Sequence, residues 1–364
     1  MTKKSMYRPE VFNCHEYQAG KTIEEVKKEL GLERIVKLSS NENPYGPSPK
    51  VLEAIRAEMS NLSMYPERTY IELKEAIARA NGVTIENIVV GSGSVVMIQI
   101  IPQLYVNPGD EVICVDKTFG RFEEASNLMG ANMVIVPLKN YTHDLEAMAD
   151  AITDKTKLIW VCNPNNPTGT IVKGYEIEKF LEKVPDDVVV VFDEAYYEYA
   201  DDPDYKSALT FFKQGRKNII VLRTFSKAYG MAGIRLGYAI VTKEVRTLLD
   251  TVQEPFNLGR IPIVTGPAAL SDQEWVQKCV QDAWKEKKYL YEEFEKLGFD
   301  VIPSNTNFVM ADTKRDCVDL FNKLMRKGVL VRPAAGWGLN THIRVTIGTH
   351  PDNEALISAL KEVL

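Results

Sequence analysis

Val188-Val189-Val190-Val191-Phe192-Asp193-Glu194-Ala195-Tyr196-Tyr197 decides how this chain folds, because five apolar residues run straight into two acids and two tyrosines. An unbroken apolar run of that length reads as a strand buried on both faces, as in a parallel sheet wrapped by helices. Upstream, Leu158-Ile159-Trp160-Val161 leads in the same way into Asn163-Pro164-Asn165-Asn166-Pro167-Thr168-Gly169. In open α/β sheets ligands bind beyond the carboxyl ends of such strands, so both polar clusters fall where chemistry is expected.

The rhythm extends in both directions. Ile88-Val89-Val90, Val112-Ile113-Cys114-Val115, Val134-Ile135-Val136, Ile219-Ile220-Val221-Leu222 and Leu236 to Val241 are further predicted strands, alternating with helical patterns. A helix is predicted after Gly91-Ser92-Gly93-Ser94, through Met97, Ile98, Ile101 and Leu104, and Asn107-Pro108-Gly109-Asp110 ends it. Thr22-Ile23-Glu24-Glu25 reads as a capping box with Gly31 as the stop. Past Glu254 to Arg260 the character changes to a long polar-faced helix around Trp275 to Leu297, followed by short strands and helices, with a hinge near Leu258. The fold class is therefore α/β, with a largely parallel sheet wrapped by helices.

Thr224-Phe225-Ser226-Lys227-Ala228-Tyr229-Gly230-Met231-Ala232-Gly233-Ile234-Arg235 carries the chemistry. A lysine that must condense with a phosphorylated aldehyde needs backbone freedom, hydroxyls and amides for the phosphate, and a permanent cation to neutralise it. Pyridoxal phosphate is such an aldehyde, and its ring nitrogen stays protonated beside a carboxylate, for which Asp193 is the candidate. Its phenolic oxygen needs neutral donors, and Asn166 and Tyr196 are of the right types. Asn-Pro-Thr-Gly also suits a tight turn by itself, so the order of the clusters carries the reading rather than any one of them. An acid at a strand end could instead hold a nucleotide's metal, but the chain has no Gly-x-x-x-x-Gly-Lys-Ser/Thr loop. Gly91 to Ser94, between a strand and a helix, can receive a phosphate on backbone amides.

Composition bounds the partners. The 364 residues, 45% of them apolar, suffice for two domains with a sizeable core. A net charge of −6 gives no electrostatic footprint for nucleic acid or an anionic membrane, so local arginines must meet any anionic ligand. Basic residues near the start have no apolar stretch behind them, and a cytoplasmic protein is expected. The five widely spaced cysteines fit reduced thiols, and the four histidines show no metal-ligand spacing, so no metal is expected.

Taken together, the chain resembles the fold-type-I, pyridoxal-phosphate-dependent aminotransferases, closest to the histidinol-phosphate aminotransferase family. The resemblance runs from Tyr17-Gln18-Ala19-Gly20-Lys21 through Asn41-Glu42-Asn43-Pro44-Tyr45-Gly46-Pro47 and Tyr65-Pro66-Glu67 to Ile343-Arg344-Val345-Thr346-Ile347-Gly348-Thr349. It implies a large cofactor-binding domain at 37–258 with a mostly parallel mixed sheet flanked by helices, and an arm at 1–36 that joins a smaller α+β domain at 259–364. It implies that Ser94, Val95, Thr224, Ser226 and Arg235 hold the cofactor phosphate, with Tyr65 reaching that phosphate from the second subunit of a homodimer with shared active sites. Phe119 would stack on the ring, and Lys227, Asp193 and Tyr196 would carry the catalytic work. Tyr17, Asn43, Arg332 and Arg344 would bind substrate, Arg344 at the α-carboxylate and Arg332 at a substrate phosphate.

The implied reaction converts L-histidinol phosphate and 2-oxoglutarate into imidazole acetol phosphate and L-glutamate, an amino donor and a 2-oxo acid acceptor, in histidine biosynthesis. An aromatic amino acid aminotransferase is the alternative, and a phospho-amino-acid decarboxylase on the same scaffold the second. Val95-Val96 stand where the family usually has Asp-Glu, Lys117 where it has proline, and Gly259 where it has a small hydroxyl residue. Arg121 adds a charge near Phe119, and a surface pair with Glu123 or Glu124 is expected for it.

Overall fold

The computed structural model describes residues 6–14 and 21–364. Tyr17 therefore lies outside the described residues.

Helix α1 (Ile23–Leu30) forms as the capping box predicts: Glu25 N–H donates to the Thr22 hydroxyl, Thr22 N–H donates to the Glu25 carboxylate at 2.7 Å, and Gly31 closes the helix at φ 68°. Next come β1 (Val36–Lys37), α2 (Pro49–Glu58) and α3 (Ile71–Asn81). The chain then alternates: β2 (Ile88–Gly91), α4 (Ser94–Tyr105), β3 (Glu111–Val115), α5 (Arg121–Leu128), β4 (Asn132–Val136), α6 (Leu145–Asp150), β5 (Thr156–Cys162), α7 (Gly174–Lys183) and β6 (Val189–Asp193). After α8 (Leu209–Lys213) come β7 (Ile219–Thr224), β8 (Gly237–Ile240) and α9 (Lys243–Val252).

Strands β2 to β8 form one sheet in the order β2-β8-β7-β6-β5-β3-β4. Strands β3 to β7 pair in parallel, whereas β8 runs antiparallel to both β7 and β2, which makes the sheet mixed. Successive residues point to opposite faces of a strand, and here both faces are covered. Val190 and Phe192 join one apolar cluster while Val191 joins the other, and Trp160 on the second face stacks on Phe122 of α5 at 4.8 Å between ring centroids.

Helix α10 (Arg260–Leu270) packs against α2 and α3, and the 24-residue α11 (Gln273–Lys296) leads to the remaining elements. These are β9 (Asp300–Ile302), β10 (Phe308–Asp312), α12 (Cys317–Arg326), β11 (Val329–Leu330), β12 (Arg332–Pro333), β13 (His342–Thr346) and α13 (His350–Val363). An antiparallel sheet has the order β12-β13-β10-β9, and β11 pairs in parallel with β1. Val26 of α1 packs with Met325 and Leu330, so residues near the start of the chain sit on elements near its end.

Candidate active site

The strand order turns around at β3 and β5, since β4 lies beyond β3 on one side while β6 and β7 continue on the other. A crevice at the carboxyl edge of such a reversal is where α/β sheets hold ligands. A cavity of about 480 Å³ opens there, lined by residues at or just past the strand ends, among them Phe119 after β3, Cys162 of β5, Asp193 of β6 and Thr224 of β7.

One end of this cavity gathers groups that can receive an anion. Ser94 and Val95 open α4, whose N-cap Gly93 supplies no side-chain cap, so the first amides and the positive end of the helix dipole face the cavity. Gly93 sits at φ 85° and ψ 162°, and a Cβ there would lie 2.5 Å from Arg235 Nη2. Arg235 Nη1 donates to the Ser226 hydroxyl at 3.4 Å and to the Ala232 carbonyl at 3.0 Å. Ser226 N–H donates to the Thr224 hydroxyl at 3.1 Å, which brings both hydroxyls to the same wall.

Lys227 stands on the cavity floor, its Nζ donating to the Ser40 carbonyl at 3.3 Å and lying 5.7 Å from the centre of the Tyr196 ring. Burial lowers its pKa to about 8, with the Arg344 charge acting in the same direction. Asp193 is 4% exposed and accepts a hydrogen bond from Ala195 N–H at 3.1 Å. Burial raises its pKa to about 7. The Tyr196 hydroxyl accepts from Asn41 Nδ2 at 2.9 Å, and burial pushes its pKa well up.

Arginines form another wall. Arg344, almost wholly buried, donates through Nη1 to Asn166 Oδ1 at 2.5 Å and through Nη2 to the Ser39 carbonyl at 2.9 Å. Its guanidinium lies over Phe308 at 5.2 Å and over Trp337 at 5.5 Å. Arg332 lies over the same Trp337 ring at 5.9 Å, and Trp337 Nε1 is fixed by the Thr118 carbonyl at 3.1 Å. Aromatic faces hold planar cations in place without neutralising them.

The cavity thus gathers Ser94, Val95, Phe119, Asn166, Asp193, Tyr196, Thr224, Ser226, Lys227, Arg235, Arg332 and Arg344 of the residues expected from sequence. Two expected residues lie elsewhere in this chain. Asn43 donates to the Ala228 carbonyl at 2.9 Å and receives Tyr45 N–H at 3.0 Å, so it braces the backbone next to Lys227, and Asn41 lines the cavity in its place. Tyr65 is 79% exposed and stacks on Phe256 at 4.7 Å, away from this cavity. Arg121 does pair with Glu124, but both side chains are mostly buried and line the cavity, which corrects the expectation of a surface pair. Ser39, Asn41 and Trp337 escaped the sequence reading. Asn41 at φ 56° had a signal, since asparagine tolerates the left-handed region, whereas Trp337 had none.

The family described as "Aminotransferase class I and II" matches residues 33–360. A histidinol-phosphate aminotransferase of Caldicellulosiruptor saccharolyticus is 45% identical over 359 residues, covering 99% of this chain and 100% of that one. One from Moorella thermoacetica is 44% identical over 357 residues, covering 98% of this chain and 92% of the relative. Among solved structures, the histidinol-phosphate aminotransferase of Sinorhizobium meliloti in complex with pyridoxal-5'-phosphate superposes with a TM-score of 0.89 at 27% identity, covering 100% of this chain and 98% of that one.

Proposed function

The chain belongs to the class I and II aminotransferases, and from that premise we propose that it transfers the amino group of L-histidinol phosphate to 2-oxoglutarate. The products are imidazole acetol phosphate and L-glutamate, and the cofactor is pyridoxal 5'-phosphate. One observation carries this reading: Lys227 and Asp193 open onto a single cavity that also holds a phosphate cradle and a pair of arginines.

The residues present fit the cofactor. The amides of Ser94 and Val95, the hydroxyls of Thr224 and Ser226, and Arg235 would hold its phosphate, in a space that a Cβ on Gly93 would fill. Asp193 would face the ring nitrogen and Phe119 the ring face. Asn166 gives its oxygen to Arg344 and keeps its NH₂ for the ring's phenolic oxygen. Tyr196 receives Asn41 and keeps its own proton for the same oxygen. When bound, the cofactor supplies an electron sink for negative charge at the substrate's α-carbon.

Lys227 would hold the cofactor between turnovers and, once displaced by the substrate amine, take and return the α-proton. Its lowered pKa suits that exchange, because a base works best when its pKa lies near the working pH. L-Histidinol phosphate carries its phosphoryl ester on the carbon where an amino acid has its carboxylate. Arg344 and Arg332 together can therefore receive either group, Arg344 by a bidentate pair and Arg332 by added charge on the phosphate. Tyr17 would close over the substrate side chain, and Asn43 would act through the Ala228 backbone.

We read the active form as a cytoplasmic homodimer. Met59, Leu62, Met64 and Tyr65 are all more than half exposed, an apolar patch suited to a second copy, with Tyr65 reaching that copy's cofactor phosphate. Among the described residues no helix is long and apolar enough to cross a membrane. Segment 259–364, with the arm at 1–36, is proposed to form a smaller domain beside the cofactor-binding domain at 37–258.

Incubating the cofactor-loaded protein with L-histidinol phosphate, phenylalanine or phosphothreonine, each with 2-oxoglutarate, tests the reading through glutamate formation. Preference for phenylalanine would favour the aromatic alternative, and carbon dioxide release from phosphothreonine the decarboxylase.

A further inference from the structure

Among the described residues, the cavity is lined by five cationic side chains and only two carboxylates, Asp193 and Glu124. Asp193 has a role above; Glu124 has none. It stands on α5, the helix that follows Phe119, one turn from Arg121, whose Nη1 donates to Glu124 Oε2. The side chains are 24% and 18% exposed, so this is not a solvated surface pair of negligible consequence.

An acid in a cavity otherwise arranged for anions weakens anion binding unless a ligand uses it. Histidinol phosphate has three recognisable parts. Its amine goes to the reacting centre beside Lys227 and its phosphoryl ester to Arg332 and Arg344, which leaves the imidazole. That ring presents an N–H donor when neutral and two when protonated. Glu124 is the carboxylate left to receive it, with Oε2 fixed by Arg121 and, among the described residues, no hydrogen bond on Oε1.

We infer that Glu124, held in place by Arg121, accepts a hydrogen bond from the imidazole N–H of the substrate and selects amines bearing such a ring over amines without one. Arg121 is a positioning residue in this arrangement. The inference rests on the histidinol-phosphate reading and sharpens it.

The test compares kcat/KM for the two amino donors of the cycle, L-histidinol phosphate and L-glutamate, in the cofactor-loaded wild type, Glu124→Gln and Arg121→Met. Glutamine keeps the size of the side chain and an acceptor for Arg121. In Glu124→Gln the ratio of histidinol phosphate to glutamate falls about tenfold or more, the scale of a hydrogen bond to a charged group, and the histidinol-phosphate loss lies mainly in KM. Arg121→Met lowers the ratio in the same direction by a smaller factor, and Arg121→Lys recovers part of it. A ratio within twofold of wild type in Glu124→Gln, or equal losses on both donors in both variants, overturns the assignment. A wild type that does not accept histidinol phosphate overturns the functional reading and this inference with it; a wild type that accepts it while Glu124→Gln keeps the ratio removes Glu124 alone.

Discussion

Replacing Gly93 by alanine puts a methyl group into the space between α4 and Arg235. The residue occupies φ 85° and ψ 162°, a region open almost only to glycine, and alanine there costs about 1–3 kcal/mol. That part of the effect is felt without cofactor. The added carbon would stand 2.5 Å from Arg235 Nη2 and 3.3 Å from Cζ, whereas an unstrained contact needs about 3.5–4.0 Å. The guanidinium must therefore withdraw by about 1 Å, which would break the charge-assisted hydrogen bond proposed between it and a bound phosphate. Such a bond is worth about 1.5–3 kcal/mol, or about 10- to 100-fold in cofactor Kd. Urea denaturation of the cofactor-free proteins measures the first term, and titration of the same proteins with pyridoxal phosphate measures the second. A Gly93→Ala protein that is destabilised yet binds the cofactor within twofold of wild type would refute the link from Gly93 through Arg235 to the phosphate.

Three further outcomes follow from other parts of the structure. Arg223 Nη2 meets Glu194 Oε2 at 2.9 Å with side-chain exposures of 6% and 1%, so Glu194→Ala strands a buried cation; the expected loss is about 3–5 kcal/mol in urea denaturation, and a loss under about 1 kcal/mol would contradict it. Burial pushes the Glu198 carboxyl from 4.5 to about 8, so across that window the unfolded chain gives up a proton that the folded chain keeps, and stability falls as pH rises until it levels off above about 8. Glu198→Gln removes this cost, so its unfolding free energy in urea denaturation should pull ahead of wild type by a margin that widens between about pH 5 and 8, to about 2 kcal/mol or more; a margin independent of pH would exclude the proton. Lys227→Ala should cut kcat by at least about 10²-fold while the phosphate cradle still binds pyridoxal phosphate reversibly, and turnover within tenfold of wild type would take Lys227 out of the proton's path.

What the sequence disclosed about the fold was local. Val188 to Phe192 and Leu158 to Val161 are continuous apolar runs because helices cover both faces of their strands, and that burial leaves its mark on composition alone. The antiparallel course of β8 leaves no such mark, since Leu236 to Val241 is as apolar as the parallel strands. At the site, the motifs after β5, β6 and β7 were readable because one strand end supplies each of them. That Asn41 rather than Asn43 lines the cavity is not legible locally, because it depends on partners more than 150 residues away, the Tyr196 hydroxyl and Thr346. Glu124 was expected on the surface because a helix sequence tells which residues share a face but not what that face looks upon.

The pairing of Val36 with Val329 has a consequence for how the molecule is made. About 290 residues separate the two partners, so β1 leaves the ribosome long before the strand that completes it exists. At about 5–20 residues per second, the early segment waits on the order of 15–60 s with its backbone groups unclaimed. The alternating β-α units in between can collapse first as the nascent chain grows, and the opening segment then closes over them last.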